Sequence, residues 1–513
     1  MEQLSALDSA FVYLESPRTP MHIGGVYLFD GASAGSRLTH QAVSLHVASR
    51  LQVARTFRQR LLEVPLGLGH PVWVEDPEFE LAAHLPRHRV AAPGGKRELM
   101  ALAAELFAQP LDRRRPLWEL AFVDGLDSYP GLSSGSVALI ARVHHAAVDG
   151  MSGAEIMGAL LDPSPSGGRE LAPDGWQAEP LPTGLELAAR SYGQLGSKSL
   201  AAARTLKSAV SGIGRLLADG LGGGFDEAPT LPFRAPRTPL NVPVSSRRSF
   251  GGVEFDLDRV KTVREKVPGA TVNDVLLAVC AGALRQWLVT REALPARPLV
   301  AMVPMSMRGK DQKESLGNQV SAALVELATD VPDPHLRLAA IRRGSRRAKG
   351  YGRALPAQQL MELVPSETAA LASRMYTRLK IADRHRPMFN LVITNVPGPQ
   401  IPLYLAGARI SGHLGMAPVF DGMGLIVVIF SLDGKLSIGL NACAEVAPDI
   451  EELETLLTAS LAALESEPEV GPELLAEVSS ERSRRGGGET LSAAAQRLSA
   501  AIERLDRSLD EEE

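Results

Sequence analysis

The chain has 513 residues, too many for one ordinary core, so two domains are expected. Its 45% hydrophobic and 22% charged content excludes a disordered chain, and 54 Lys plus Arg against 59 Asp plus Glu (net charge −5) excludes the basic footprint of a nucleic-acid-binding protein. The only cysteines, Cys280 and Cys443, lie far apart in sequence, so neither a disulfide framework nor a thiolate metal site is expected, and a reducing cytoplasm fits.

From the start, MEQLSALDSAFVYLESPRTP carries acids and no basic segment ahead of an apolar run, unlike a secretory signal. SVALIARV (136–143) is β-branched and apolar with poor alternation, which predicts a largely buried strand. It runs into VHHAAVDGMSG (143–153) and then GAEIMGALL, which has the pattern of an amphipathic helix capped by Ser152. Two Pro- and Gly-rich stretches follow, at 162–176 and 219–246, with a glycine-interrupted helical segment at 185–219 between them. This whole region, about 163–240, is expected to be a long crossover between lobes. The segment sets Arg190, Lys198, Arg204, Lys207 and Arg215 against Glu186 and Asp219. Such a face either rests on anionic lipid, with leucines such as Leu187 entering the headgroups, or is a solvated helix packed on the lobes.

Beyond it, PLVAMVPMS (298–306), FNLVITNV (389–396) and GLIVVIF (424–430) predict further strands, giving an α/β or mixed α+β fold with mixed sheets. Apolar runs like GLIVVIF are too short to span a bilayer. SRRGGGE (483–489) sets off a tail in which Leu491, Ala495, Leu498, Ile502, Leu505 and Leu509 form one helical seam, suited to docking on the body or to pairing with a second chain. The expected domains are thus 1–162, a crossover at 163–240, 241–482, and a helical tail at 483–513. GLGGG (220–224) lacks the Lys-Ser/Thr of a phosphate loop.

The chemistry concentrates in V-H-H-A-A-V-D-G. Neighbouring strand residues point to opposite faces, so His144 and His145 cannot both face one cavity. Asp149, with Gly150 and Gly153 beside it, suits a tight turn that steadies a histidine. A neutral imidazole can take a hydroxyl proton as the oxygen attacks a carbonyl. A structural histidine, a zinc site and a Ser-His-Asp hydrolase are the alternatives. The second lacks H-x-x-x-H spacing and the third lacks a G-x-S-x-G elbow, SSGSV (133–137) being no substitute.

The full pattern H-H-x-x-x-D-G resembles the active-site motif of the CoA-dependent acyltransferases, among them chloramphenicol acetyltransferase and peptide-synthetase condensation domains. More narrowly, the chain resembles the bacterial wax ester synthase/diacylglycerol acyltransferases nearly end to end. The likeness includes LDSAFVYLESPRTPMHIGGV (7–26), PLDRRRPLWEL (110–120) with Pro116-Leu117-Trp118, ATVNDVLLAVCAGALRQWL (270–288) with Asn273-Asp274, VPMSMR (303–308), GNQV (317–320) and FNLVITNVPGPQIPLYLAGARI (389–410).

The resemblance implies two chloramphenicol-acetyltransferase-like lobes with an active-site tunnel between them, His145 as general base, Asp149 holding the loop, and His144 mainly structural. It implies acyl-CoA as co-substrate, diacylglycerol or a long-chain alcohol as acceptor, and no cofactor or metal. Acyl transfer also needs donors to the oxyanion, for which Asn273, Thr394 and Asn395 are candidates. Against this, Asn273 could be only a helix cap beside Thr271, Asn395 only a turn residue, and Trp118 core packing. Triacylglycerol synthesis is the expected activity, with wax ester synthesis beside it. A non-catalytic lipid-surface protein and an enzyme fed by an acyl-carrier protein are the readings from other classes. The expected location is cytoplasmic, at the surface of membranes or lipid droplets.

Overall fold

The computed structural model describes residues 1–34, 38–65, 69–148, 153–167, 175–184, 186–187, 235–306, 320–352, 386–468, 471, 473–475 and 478. Asp149, Ser152, most of the crossover helix, GNQV up to Gln319 and the tail seam lie outside them.

The first lobe forms around a six-stranded sheet of order β12-β13-β2-β7-β6-β5, built from β2 (His22–Phe29), β5 (Arg87–Arg89), β6 (Trp118–Asp124), β7 (Val137–His144), β12 (Tyr404–Leu405) and β13 (Ala408–Met416). β7 is central and buried at every position, which explains its weak alternation: both faces of the sheet are covered. On one face, the helix Lys96–Phe107 packs Leu99, Ala103 and Phe107 against Val26, Ala121 and Ile140. On the other, Phe29, Leu117, Trp118, Leu120 and Leu139 build a second core layer.

The second lobe holds the sheet β10-β9-β11-β14-β15-β8, made of β8 (Arg248–Asp256), β9 (Val300–Ser306), β10 (Val320–Glu326), β11 (Leu391–Pro397), β14 (Leu425–Leu432) and β15 (Lys435–Cys443). β11 runs parallel to β9 and β14 while the other pairs are antiparallel, so the sheet is mixed as expected. A three-stranded sheet, β1 (Glu2–Gln3), β4 (Val72–Glu75) and β3 (Gln59–Leu62), completes the set. The mixed α/β architecture of two lobes is therefore present.

Two expectations need correction. Residues 404–416, expected within 241–482, instead form β12 and β13 and complete the first sheet. Their apolar strand pattern says only that they are buried, not in which sheet. Leu187 is buried against Val64, Val72 and Val74 rather than offered to lipid.

The lobes meet where β13 crosses β15. A Cβ on Gly439 would stand 2.1 Å from the Gly415 carbonyl oxygen, so only glycine allows that approach. Beside the crossing, Lys96 Nζ, at the start of the helix Lys96–Phe107, reaches the Gly252 carbonyl and Glu454, each at 2.7 Å, tying the first lobe to β8 and to the helix Ile450–Glu465. Helix Val272–Val289 is long and apolar enough to cross a membrane, which the short strand runs had concealed, but it is mostly buried as the core helix of the second lobe.

Candidate active site

β7 delivers the histidine pair. His144 is its last residue, paired across β2 with His22, and its N–H donates to the Leu117 carbonyl at 2.9 Å. The chain then tightens into a 3₁₀ turn, His145–Val148, started by the His145 N–H donating to the Met21 carbonyl at 2.7 Å. The strand thus stops between the two histidines, and they separate through this turn rather than through continued alternation.

His144 is buried (1% exposed). Its Nδ1 accepts the Ala146 N–H at 3.1 Å, which leaves Nε2 to carry the proton, and Nε2 stands 3.5 Å from Glu15 Oε1. Glu15 ends helix α1 (Ala6–Leu14), whose start is capped by Ser5 accepting the Asp8 N–H at 3.1 Å. Arg113 grips Glu15 Oε2 with two N–H groups at 2.9 and 2.7 Å and gives a further bond to the Val12 carbonyl. Oε1 also accepts the Met21 N–H at 3.1 Å. Burial would raise the Glu15 carboxyl, but the His144 contact, the Arg113 charge and the Met21 N–H together bring it down to about 2. It is a carboxylate at any physiological pH.

His145 is partly buried and stacks flat on Phe11, with ring centroids 3.7 Å apart and planes 13° from parallel. Burial pushes its imidazole down to about 4, and the neighbouring His144 adds in the same direction. The ring is therefore neutral near pH 7 and able to accept a proton. Behind it, His22 is wholly buried, donates from Nε2 to the Phe107 carbonyl at 2.7 Å, and is pushed by burial down to about 3. Arg142, buried in β7 two residues before His144, bonds the carbonyls of Leu106 and Gln109 and the carboxylate of Glu119.

The asparagine candidates belong to the second lobe. Thr271 caps helix Val272–Val289 in a reciprocal box with Asp274, so Asn273 is not the cap. Asn395 lies within strand β11 rather than in a turn, and its Nδ2 donates to Asn273 Oδ1 at 3.1 Å. With its oxygen engaged, Asn273 keeps its Nδ2 donors for another acceptor. Thr394 adjoins Asn395 on β11 and is partly buried, opposite Val428. Among the described residues no hydrogen bond or ion pair joins these asparagines to the histidines. Trp118 is core: it stacks on His84 at 4.5 Å and donates to the Phe57 carbonyl at 2.9 Å.

Sequence reasoning passed over Glu15, Arg113 and His22. The available signals were an acid closing an apolar helix and a cation ahead of Pro-Leu-Trp, but neither pattern names its partner 98 residues away.

Two mixed-sheet lobes with a neutral, partly buried histidine at a strand end have the architecture of CoA-dependent acyltransferases. The trichothecene 15-O-acetyltransferase of Fusarium sporotrichioides shares the fold, with a TM-score of 0.55 at 14% identity over 90% of this chain and 94% of that one. Similarity is greater to the wax ester synthase/diacylglycerol acyltransferase of Marinobacter aquaeolei VT8, with a TM-score of 0.63 and 29% identity over 90% of this chain and 98% of the other. A Mycobacterium tuberculosis H37Rv protein assigned by name to the diacylglycerol O-acyltransferases is 33% identical over 458 residues, 88% of this chain and 87% of its own. Residues 4–276 match the wax ester synthase/diacylglycerol acyltransferase catalytic domain, and residues 316–465 match the C-terminal domain of the same family. This chain belongs to the wax ester synthase/diacylglycerol acyltransferase family and is an acyltransferase that takes acyl-CoA and an acyl acceptor.

Proposed function

We propose that this enzyme moves a long-chain acyl group from acyl-CoA to the free hydroxyl of diacylglycerol, with His145 as general base. The observation that carries the reading is the paired state of the two imidazoles. His144 is committed to the Glu15 carboxylate and the turn, whereas His145 is neutral, partly open and steadied by Phe11. His145 takes the hydroxyl proton as the oxygen attacks the thioester carbonyl. The tetrahedral oxyanion, stabilised by donors such as Asn273, collapses; the C–S bond breaks, and the thiolate recovers the proton from the imidazolium. Triacylglycerol and free CoA leave. No cofactor or metal enters this scheme, and Asp149 is assigned to holding the loop.

The diacylglycerol preference is supported by the names of the mycobacterial relatives, 32–35% identical over 88–91% of this chain. Wax ester synthesis is the second reading, favoured by the name of the Marinobacter protein. Labelled palmitoyl-CoA offered with dioleoylglycerol or with hexadecanol separates them: triacylglycerol should dominate. Wax ester alone would replace the first reading with the second, and no product from either acceptor would overturn both.

An acceptor this insoluble must be collected from an interface, so the enzyme is proposed to be cytoplasmic and to work at membrane or lipid-droplet surfaces. The basic segment at 185–219 is the candidate contact, and the tail at 483–513 is a candidate for pairing of two chains. Flotation with anionic vesicles should show salt-sensitive binding that falls when Lys198, Arg204 and Lys207 become Glu. Binding indifferent to lipid charge, salt and all three changes would remove this contact.

A further inference from the structure

We infer that Glu15, clamped by Arg113, is a positioning residue that sets the backbone and ring of His145 from a single carboxylate; the catalytic consequence rests on His145 being the base. The two oxygens divide the work. Oε2 is taken by both Arg113 N–H groups, which fixes the carboxylate plane and leaves Oε1 turned inward.

From Oε1 two short relays run to adjacent peptide groups. In the first, Oε1 accepts the Met21 N–H at 3.1 Å, and the Met21 carbonyl accepts the His145 N–H at 2.7 Å. In the second, Oε1 faces His144 Nε2 at 3.5 Å, and His144 Nδ1 accepts the Ala146 N–H at 3.1 Å. The N–H groups of His145 and Ala146 thus both lead back, each through one residue, to the same oxygen, through hydrogen bonds in the first relay and through the 3.5 Å approach of His144 Nε2 in the second.

The ring is held from the same helix. Phe11 lies four residues before Glu15, one turn back on the same face of α1, and stacks on the imidazole. Glu15 also closes that turn, its N–H donating to the Phe11 carbonyl at 3.1 Å. A shift of the Glu15 carboxylate therefore moves the peptide that carries His145 and loosens the helix that covers its ring. A base displaced by about 1 Å loses on the order of a hundredfold in rate, because proton transfer needs hydrogen-bond geometry.

The test combines kinetics with hydrogen exchange on the full chain. Glu15→Ala should lower kcat by about 30- to 100-fold while KM for palmitoyl-CoA and for dioleoylglycerol stays within about threefold. Glu15→Gln keeps an oxygen for the Met21 N–H and should lose only about tenfold. Exchange of the His145 and Ala146 amides should speed up in both variants, with strands β6 and β13 unchanged. In a His145→Ala background, Glu15→Ala should cost less than about twofold more, because the two act as one unit. If Glu15→Ala does not fold, Glu15→Gln and Arg113→Lys carry the same measurements.

Unchanged exchange at His145 and Ala146 overturns the positioning role. So does a kcat loss below about threefold, or a full second loss in the His145→Ala background. Failure of the general-base reading is distinguishable: His145→Ala itself would then retain more than about a tenth of the activity, while exchange still reports on the positioning.

Discussion

The histidine end of the first lobe and the asparagine end of the second are built in opposite ways. At the first, three imidazoles, a carboxylate and a guanidinium are packed at the ends of β2 and β7, and burial holds two of the rings well below the ordinary histidine range. At the second, two neutral amides meet at a capped helix start and a strand, both partly open. A group that must exchange a proton needs its charge controlled, so it is surrounded by burial and fixed ions. In the proposed role the asparagines only present a dipole, which needs a fixed direction and is served by one amide–amide bond.

Breaking the first end should cost most. His145→Ala should remove about 10²–10⁴-fold of kcat with the fold retained, as read by CoA-thiol release; a loss below tenfold would count against the proposed base. At the second end, Asn273→Ala should cost about 10²-fold in kcat if its Nδ2 meets the oxyanion. Asn395→Ala, which only releases the direction of Asn273, should cost roughly tenfold. Equal losses at the two asparagines would mean that Asn395 itself contacts substrate.

His144→Ala sharpens the contrast within the first end. It empties a buried site and withdraws one partner of Glu15, so about 2 kcal/mol of stability should go, seen as a lower Tm. Arg113 and Met21 still hold the carboxylate, and kcat should fall by less than about tenfold. A loss matching that of His145→Ala in a folded variant would reverse the division of roles.

The pH dependence of stability tests the contrast in a different way, and its sign follows from burial. His145 and His22, together with His413, a buried residue of β13 whose ring meets Phe430 edge-on, are held down to about 4, 3 and 4, all below the ordinary 6.5, so the unfolded chain takes up protons that the folded one refuses. Their stabilisation is complete above pH 6.5 and declines as pH falls toward 4, by ~1.4 kcal/mol per pH unit for each histidine in its interval. Glu15, lowered from 4.5 to about 2, adds its own loss only below pH 4.5. Urea midpoints measured from pH 8 to pH 4.5 should be flat above 6.5 and slope downward below it. A flat profile throughout would show these rings to be solvated. The asparagine pair contributes nothing to this slope, which the first-end rings share with the buried His413 and His84.

Much of the elements could be read in the residues. β7, β9, β11 and β14 fall where β-branched apolar runs predicted them, and the helix after the histidines begins at Gly153. The candidate site was readable as a list but not as an arrangement. His144 and His145 stand together by sequence, and Asn273 meets Asn395 only because a helix start is laid beside β11 across 122 residues.

By itself the sequence determined local conformation and family membership, since apolar periodicity, capping residues and ordered motifs are properties of neighbouring residues. Tertiary structure alone decided that Glu15 would meet Arg113 and His144, and that β13 would leave the second half of the chain to complete the first sheet. It also decided that Gly439 would lie against Gly415 where the two sheets cross. The physical reason is the same in each case. Burial, ion pairing and close backbone approach depend on which distant surfaces are brought together, and a pattern of neighbours carries no record of that partner. The low affinity of His145 for a proton belongs to this second class, because desolvation creates it and desolvation exists only once the lobe has closed around the ring.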